Sequence, residues 1–301
     1  MRILLCTGGS PHGQGALRFG ALLAQGSAEP ATLLGVAERT EDRAQVQGAL
    51  REGEGWLADA PTPHVKVRVG HAAEQILEEA ASSEYDLVVV GTRGRHGITR
   101  FLLGSTAERI AREASAPVLL VQRAADSLER ILVCTAGGEP GLAAVRMGGR
   151  VARLVGARVT VLHVMSQLPG SPVPSHSGPL QVVPQTPAPQ EAPEAQTECL
   201  EATATELMER DTREGAHLRE ALDILEGMKI PAVARVRHGL VLDEITDEIH
   251  EGDHGLIVVG TKPAEGWMRF LLNDVSQQII GCTDRPVLVV RTGMGDGSRA
   301  D

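Results

Sequence analysis

One unit is written twice in these 301 residues. ILLCTGG at 3–9 reappears as ILVCTAG at 131–137, and an alanine-bearing helical segment follows each. The order then continues in parallel. TLLGV at 32–36 answers to TVLHV at 160–164, VRVG at 67–70 to VRHG at 236–239, DLVVVGT at 86–92 to GLIVVGT at 255–261, and APVLLV at 116–121 to RPVLVV at 285–290. Ile76 and Ile245 each stand six residues past their glycine. That many anchors in one order mean a duplication, each copy being one structural unit.

Within a copy, short apolar runs alternate with helical periodicity. Leu87, Val88, Val89 and Val90 show no polar alternation, as expected of a strand buried on both faces, so each copy should be a parallel sheet covered by helices. The expected fold class is α/β, with two tandem Rossmann-like domains, each a five-stranded parallel sheet flanked by helices. The domains fall at 1–125 and 129–293, and the polar stretch between them is too short for a flexible spacer, so the copies should pack together. Ligands of such sheets bind at strand carboxyl ends where the strand order reverses, which gathers the turns after Leu5, Val36 and Val90 around one crevice.

Residues 166–196 break the pattern. Pro169, Pro172, Pro174, Pro179, Pro184, Pro187, Pro189 and Pro193 are spaced to exclude helix or sheet and mark an insertion after the second strand of copy two. Beyond it, 198–227 carries Leu200, Leu207, Leu218, Leu222 and Leu225 among many acids. This predicts one amphipathic helix or two, packed on the copy's own sheet in preference to serving as a docking arm.

Composition removes several classes of function. Aromatic residues make up 2% of the chain, so no row of rings exists on which bases could stack. A net charge of -10 repels nucleic acid and anionic lipid. No run approaches the roughly 20 apolar residues of a membrane span, the N-terminal apolar run is too short for a signal peptide, and cytoplasm is the expected location. Cys6, Cys134, Cys199 and Cys282 show no metal or redox spacing.

The densest chemistry is GTRGRHGITRFLLGST at 91–106. Gly91 and Gly94 would let backbone approach an anion, Arg93, Arg95 and Arg100 would neutralise charge, and Ser105 and Thr106 open a helix whose free amides favour phosphate. The arrangement GxxG, nine residues, GS resembles the ATP-binding signature of the universal stress protein family. The ILV-type first strand, Leu162-His163-Val164, the VxxG at 67–70 and the PVLxV endings resemble that family in both copies. The resemblance implies two tandem domains of the adenine nucleotide alpha hydrolase-like kind and a stress-response or regulatory role. It also implies a bound ATP, with ADP and AMP as alternatives and Mg2+ permitted beside the phosphates.

Carried over by position, Val36 would touch adenine and Gly91, Gly94, Gly104, Ser105 and Thr106 would hold ribose and phosphates. Thr7, Gly8, Gly9, Val90 and Arg95 complete the implied contact set. One departure stands out: Gly8 occupies the place where ATP-binding members commonly have an aspartate. Copy two departs further, with Pro263 in its loop, Asn273-Asp274 in place of Gly104-Ser105, and Ala136 in place of Gly8. It is expected to bind no ATP. A nucleotide-free interaction protein of the same fold is the alternative. The resemblance also implies pairing of the last strands, 118–121 with 287–290, as a pseudo-dimer within one chain, with a homodimer as a further expectation.

Two other motifs lead elsewhere. HEGDH at 250–254 has the spacing of a zincin helix, but Gly252 stands where the helix must stop. Thr7-Gly8-Gly9-Ser10 looks like the phosphate loop of N-type ATP pyrophosphatases, with Pro11 and His12 where Asp-Ser is required. No motif fixes a base beside Ser105, so no dedicated enzyme is expected and at most a weak ATPase.

Overall fold

Residues 1–92, 103–166, 203–210, 212–261 and 274–292 are described in a computed structural model of the chain. Copy one runs β1 (Ile3–Thr7), α1 (Pro11–Gln25), β2 (Thr32–Ala37), α2 (Arg43–Trp56), β3 (His64–Val69), α3 (Ala72–Ser82), β4 (Leu87–Gly91), α4 (Ser105–Glu113) and β5 (Val118–Val121). Copy two runs β6 (Arg130–Thr135), α5 (Gly138–Val155), β7 (Arg158–Met165), α6 (Ala204–Glu209), α7 (Arg213–Gly227), β8 (Ala232–His238), α8 (Val241–Glu251), β9 (Leu256–Thr261), α9 (Asp274–Cys282) and β10 (Val287–Arg291).

The unbroken apolar runs are strands covered on both sides. Every residue of β1, β2 and β5 is buried. Alternation divides them between two cores: Ile3, Leu5, Leu33 and Val89 face α1, α2, α5 and α7, whereas Leu4, Cys6, Leu34 and Val90 face α3, α4, α8 and α9. Helix α1 begins where Ser10 accepts a hydrogen bond from the Gly13 amide at 3.2 Å, with Pro11 directly after the cap. A hydroxyl cap followed by proline suits the first turn, where the missing N–H has no acceptor to lose.

All ten strands form one sheet, in the order β3-β2-β1-β4-β5-β10-β9-β6-β7-β8. Each half is a five-stranded parallel α/β unit of the expected class. The halves meet at the antiparallel pair β5 and β10, with Leu119 opposite Leu288, so strands that would otherwise be open edges cover each other inside one chain.

Between β7 and α6 the proline-rich stretch at 167–202 lies outside the described residues, as does Leu200. The acidic segment after it is a helix pair. Leu207, Leu218 and Leu225 are buried, so the pair packs on its own sheet. Among the described residues no helix is long and apolar enough to cross a membrane.

Candidate functional site

In copy one the chain winds outward in both directions from β1, which pairs with β2 on one side and β4 on the other. The carboxyl ends of these strands open a cavity of about 190 Å3. Cys6, Val36, Val90, Ile76 and Ile110 give it apolar walls, while Thr7, Ser10, Thr92, Ser105 and Thr106 contribute hydroxyls and His12 an imidazole. At its rim, α4 begins at Ser105 with Gly104 as the preceding cap residue, and no side chain closes the helix start. First-turn amides left without a side-chain cap, together with the helix dipole, make a place for an anion.

Of the residues marked from the sequence, Thr7, Gly8, Val36, Val90, Gly91, Gly104, Ser105 and Thr106 line this one cavity. Gly9 is not among the lining residues. It has φ +79°, its amide donates to the Thr7 hydroxyl, and its carbonyl accepts from Gln45 Nε2 at 2.9 Å. Gly94 and Arg95, with Arg93 and Arg100, lie outside the described residues. Ser10, His12 and Ala72 also line the cavity, and no motif marks them for it. Their signal lay in helix starts after β1 and β3, which become neighbours of the crevice only when the sheet is assembled.

Gly91 has a structural task as well. A Cβ there would overlap the His12 carbonyl, and in copy two a Cβ on Gly260 would overlap the Pro140 carbonyl. In both copies the first turn of a helix rests on the end of the neighbouring strand, and only glycine allows that approach. The Gly-Thr pair shared by both loops therefore serves the fold.

Copy two keeps a matching cavity of about 200 Å3 at the ends of β6, β7 and β9. Its walls are Cys134, Thr135, Ala136, Leu162, Val164, Val241, Ile245, Val259, Gly260, Val275, Ser276 and Ile279. Pro263, Asn273 and the side chain of Asp274 fall outside the described residues.

Two buried carboxylates went unnoticed in the sequence. Glu79 in α3 is 0% exposed and is held by Lys66 at 2.6 Å, Arg68 at 2.6 Å and the Tyr85 hydroxyl at 2.8 Å. Glu248 in α8, also 0% exposed, is held by Arg237 at 2.8 Å and His254 at 3.2 Å. Burial pushes both acids up, but hydrogen bonds outweigh it, from Lys66 and Tyr85 to Glu79 and from Arg237 and His254 to Glu248, together with the charges of the neighbouring Lys66 and arginines, and hold both below the usual glutamate range. These clusters bind the outer strands β3 and β8 to their helices. The glutamates recur at the same place in both copies, which was the available signal.

The HEGDH match does not form a metal helix. His250 lies in the last turn of α8, Gly252 caps it, Asp253 has φ 46° and His254 turns back to Glu248. Burial raises the Cys6 thiol far above its ordinary range and the Cys134 thiol to about 12, so neither is a nucleophile near neutral pH.

Fold and crevice together define a class: a tandem, doubly wound α/β protein with a crevice at the switch point of each half. The sequence model of the universal stress protein family matches residues 1–122 and again 127–291, and the chain belongs to that family. A universal stress protein of Methanocaldococcus jannaschii is 34% identical over 105 residues, 35% of this chain and 58% of that protein. The chain spans 58%, 23% and 48% of the lengths of three curated relatives that it matches. Among solved structures, a universal stress protein from Archaeoglobus fulgidus aligns with a TM-score of 0.68 at 18% identity, over 97% of this chain and 98% of that one. One from Pseudomonas aeruginosa aligns with a TM-score of 0.62 at 15% identity, over 96% of this chain and 92% of that one. Likeness at that identity speaks for the fold.

Proposed function

We propose that the first copy binds an adenine nucleotide, ATP foremost with ADP and AMP as alternatives, and that the second copy does not. The observation that carries this reading is the start of α4 opening, without a side-chain cap, onto the same cavity as Gly91, Thr92, Ser105 and Thr106. Apolar walls from Val36, Val90 and Ile76 suit a base, and the helix start with its hydroxyls suits phosphate. None of the described lining residues is a carboxylate, so Mg2+ would be held chiefly by the phosphates and Ser or Thr hydroxyls. No motif fixes a base beside Ser105, and on this reading the protein works as a cytoplasmic binding module with a regulatory part in stress and at most weak ATPase activity. A homodimer would need a surface other than β5 and β10, which pair with each other.

The second reading, a nucleotide-free interaction protein, is favoured by Gly8, which puts no carboxylate at the end of β1. Freshly purified protein, denatured and analysed by chromatography and mass spectrometry, separates the two. Released adenine nucleotide, or a thermal shift with millimolar ATP, ADP or AMP, supports the first. An empty protein without any shift supports the second.

A further inference from the structure

The two crevices can be compared wall by wall, because the repeat places each residue of one opposite a residue of the other. Thr106 becomes Val275, Ala72 becomes Val241 and Gly8 becomes Ala136, while Val36, Val90, Ile76 and Ile110 find apolar equivalents in Val164, Val259, Ile245 and Ile279. Ser10 and His12, hydroxyl and imidazole in the first crevice, have no counterpart among the described lining residues of the second. Thr135 is committed elsewhere, its Oγ1 lying 2.6 Å from His217 Nε2 and accepting from the Gly137 amide at 3.1 Å. Among the described lining residues that leaves the Ser276 hydroxyl as the main uncommitted polar group in an apolar wall.

The added methyl groups have not filled the space: the cavities measure about 190 and about 200 Å3. A crevice that had merely lost its ligand would gain stability by collapsing or by being plugged with larger side chains, since voids cost dispersion contacts. This one keeps its room, and its described lining has fewer polar groups than that of copy one. Apolar cavities of about 150 Å3 take up molecules such as benzene.

We infer that the crevice of the second copy is a binding site for a small, neutral, largely apolar molecule of the size of a substituted benzene or an indole, held by Leu162, Val241, Ile245, Val259 and Ile279. Ser276 would accept or donate one hydrogen bond to such a ligand. The inference concerns copy two alone and does not depend on nucleotide binding in copy one.

The test uses the full chain with labelled Ile, Leu and Val methyl groups and indole as probe. Indole should give saturable, one-to-one shifts at Ile245, Val259 and Ile279, and none of comparable size at Ile76, Val90 and Ile110. Val275→Thr, which restores the hydroxyl of copy one at the mouth, should weaken indole about fivefold, and Ile279→Phe should abolish binding by filling the space. The methyl spectrum itself shows whether each variant is folded. Absence of saturation up to the solubility of indole, equal shifts in both crevices, or unchanged affinity in folded Val275→Thr would each overturn the inference. AMP shifting Ile245 and Ile279 more strongly than indole would also overturn it. AMP shifts at Ile76 and Ile110 report separately on the first copy.

Discussion

Gln122, one residue beyond β5, donates from Nε2 to the carbonyl of Ile280 in α9 at 2.8 Å. The matching residue of the other copy, Arg291, reaches the carbonyl of Arg112 in α4. Each copy thus satisfies a helix-end carbonyl of its twin, a group that a helix cannot satisfy itself. Asp86 and Arg150 add an ion pair between the copies at 2.6 Å, and it holds the Asp86 carboxyl below its ordinary range against the opposing effect of burial.

The seam between the copies is apolar where β5 meets β10. Leu119 is 0% exposed and lies opposite Leu288. Leu119→Ala should cost about 2–5 kcal/mol, as truncation of a fully buried leucine does. Urea unfolding followed by hydrogen exchange should show both copies losing protection together. Loss confined to copy one would show that the halves are not cooperative.

Ser105→Asp tests the anion site without threatening the fold. The variant places a carboxylate in the first turn of α4, a position that favours acidic residues by about 0.3–1 kcal/mol. Melting temperature should hold steady or rise. Affinity for ATP should fall by at least about tenfold, because the new charge faces the phosphates. Calorimetric titration showing unchanged affinity would remove α4 from the site.

The Glu79 cluster should make the fold acid-sensitive. Its carboxyl is held below the ordinary value of 4.5, so its stabilisation is complete above that pH and is lost as pH falls through the lower folded value. Glu79→Gln should cost about 2 kcal/mol at pH 7, and the gap to the parent should close below pH 4.5. Denaturant midpoints measured across that range check both halves of the statement.

His217 acts at higher pH. It is buried beside Thr135, and burial, with His163 nearby, lowers its pKa from the ordinary 6.5. A lowered imidazole pKa means that the unfolded chain takes up the proton first, so stability is full above 6.5 and declines as pH drops below it. His217→Gln, which keeps a polar partner for Thr135, should flatten the decline between pH 6.5 and 5. A variant with the parent slope would place the effect in another group.

Much of this organisation could be read in the chain as written. Repeated order revealed the duplication, unbroken runs such as 87–90 revealed strands buried on both faces, and the turns after Leu5, Val36 and Val90 pointed to one crevice. These are properties of neighbouring residues, and periodicity alone reports which faces of an element are covered. Local chemistry also explains why Gly252 ends α8 and spoils the zincin spacing.

What the tertiary structure alone decided depends on side chains that meet across long separations. Nothing in the spacing of Lys66, Arg68, Glu79 and Tyr85 announces that they converge, because two lie on a strand, one on a helix and one in the turn beyond it. The same holds for Ser10 and His12 joining Ala72 at one cavity, and for Gln122 finding Ile280. The double use of Gly91, at the crevice and against the His12 carbonyl, and the survival of an apolar cavity in copy two are facts of packing. Patterns in sequence state which residues are buried; the distances between them are set only when the helices settle on the sheet.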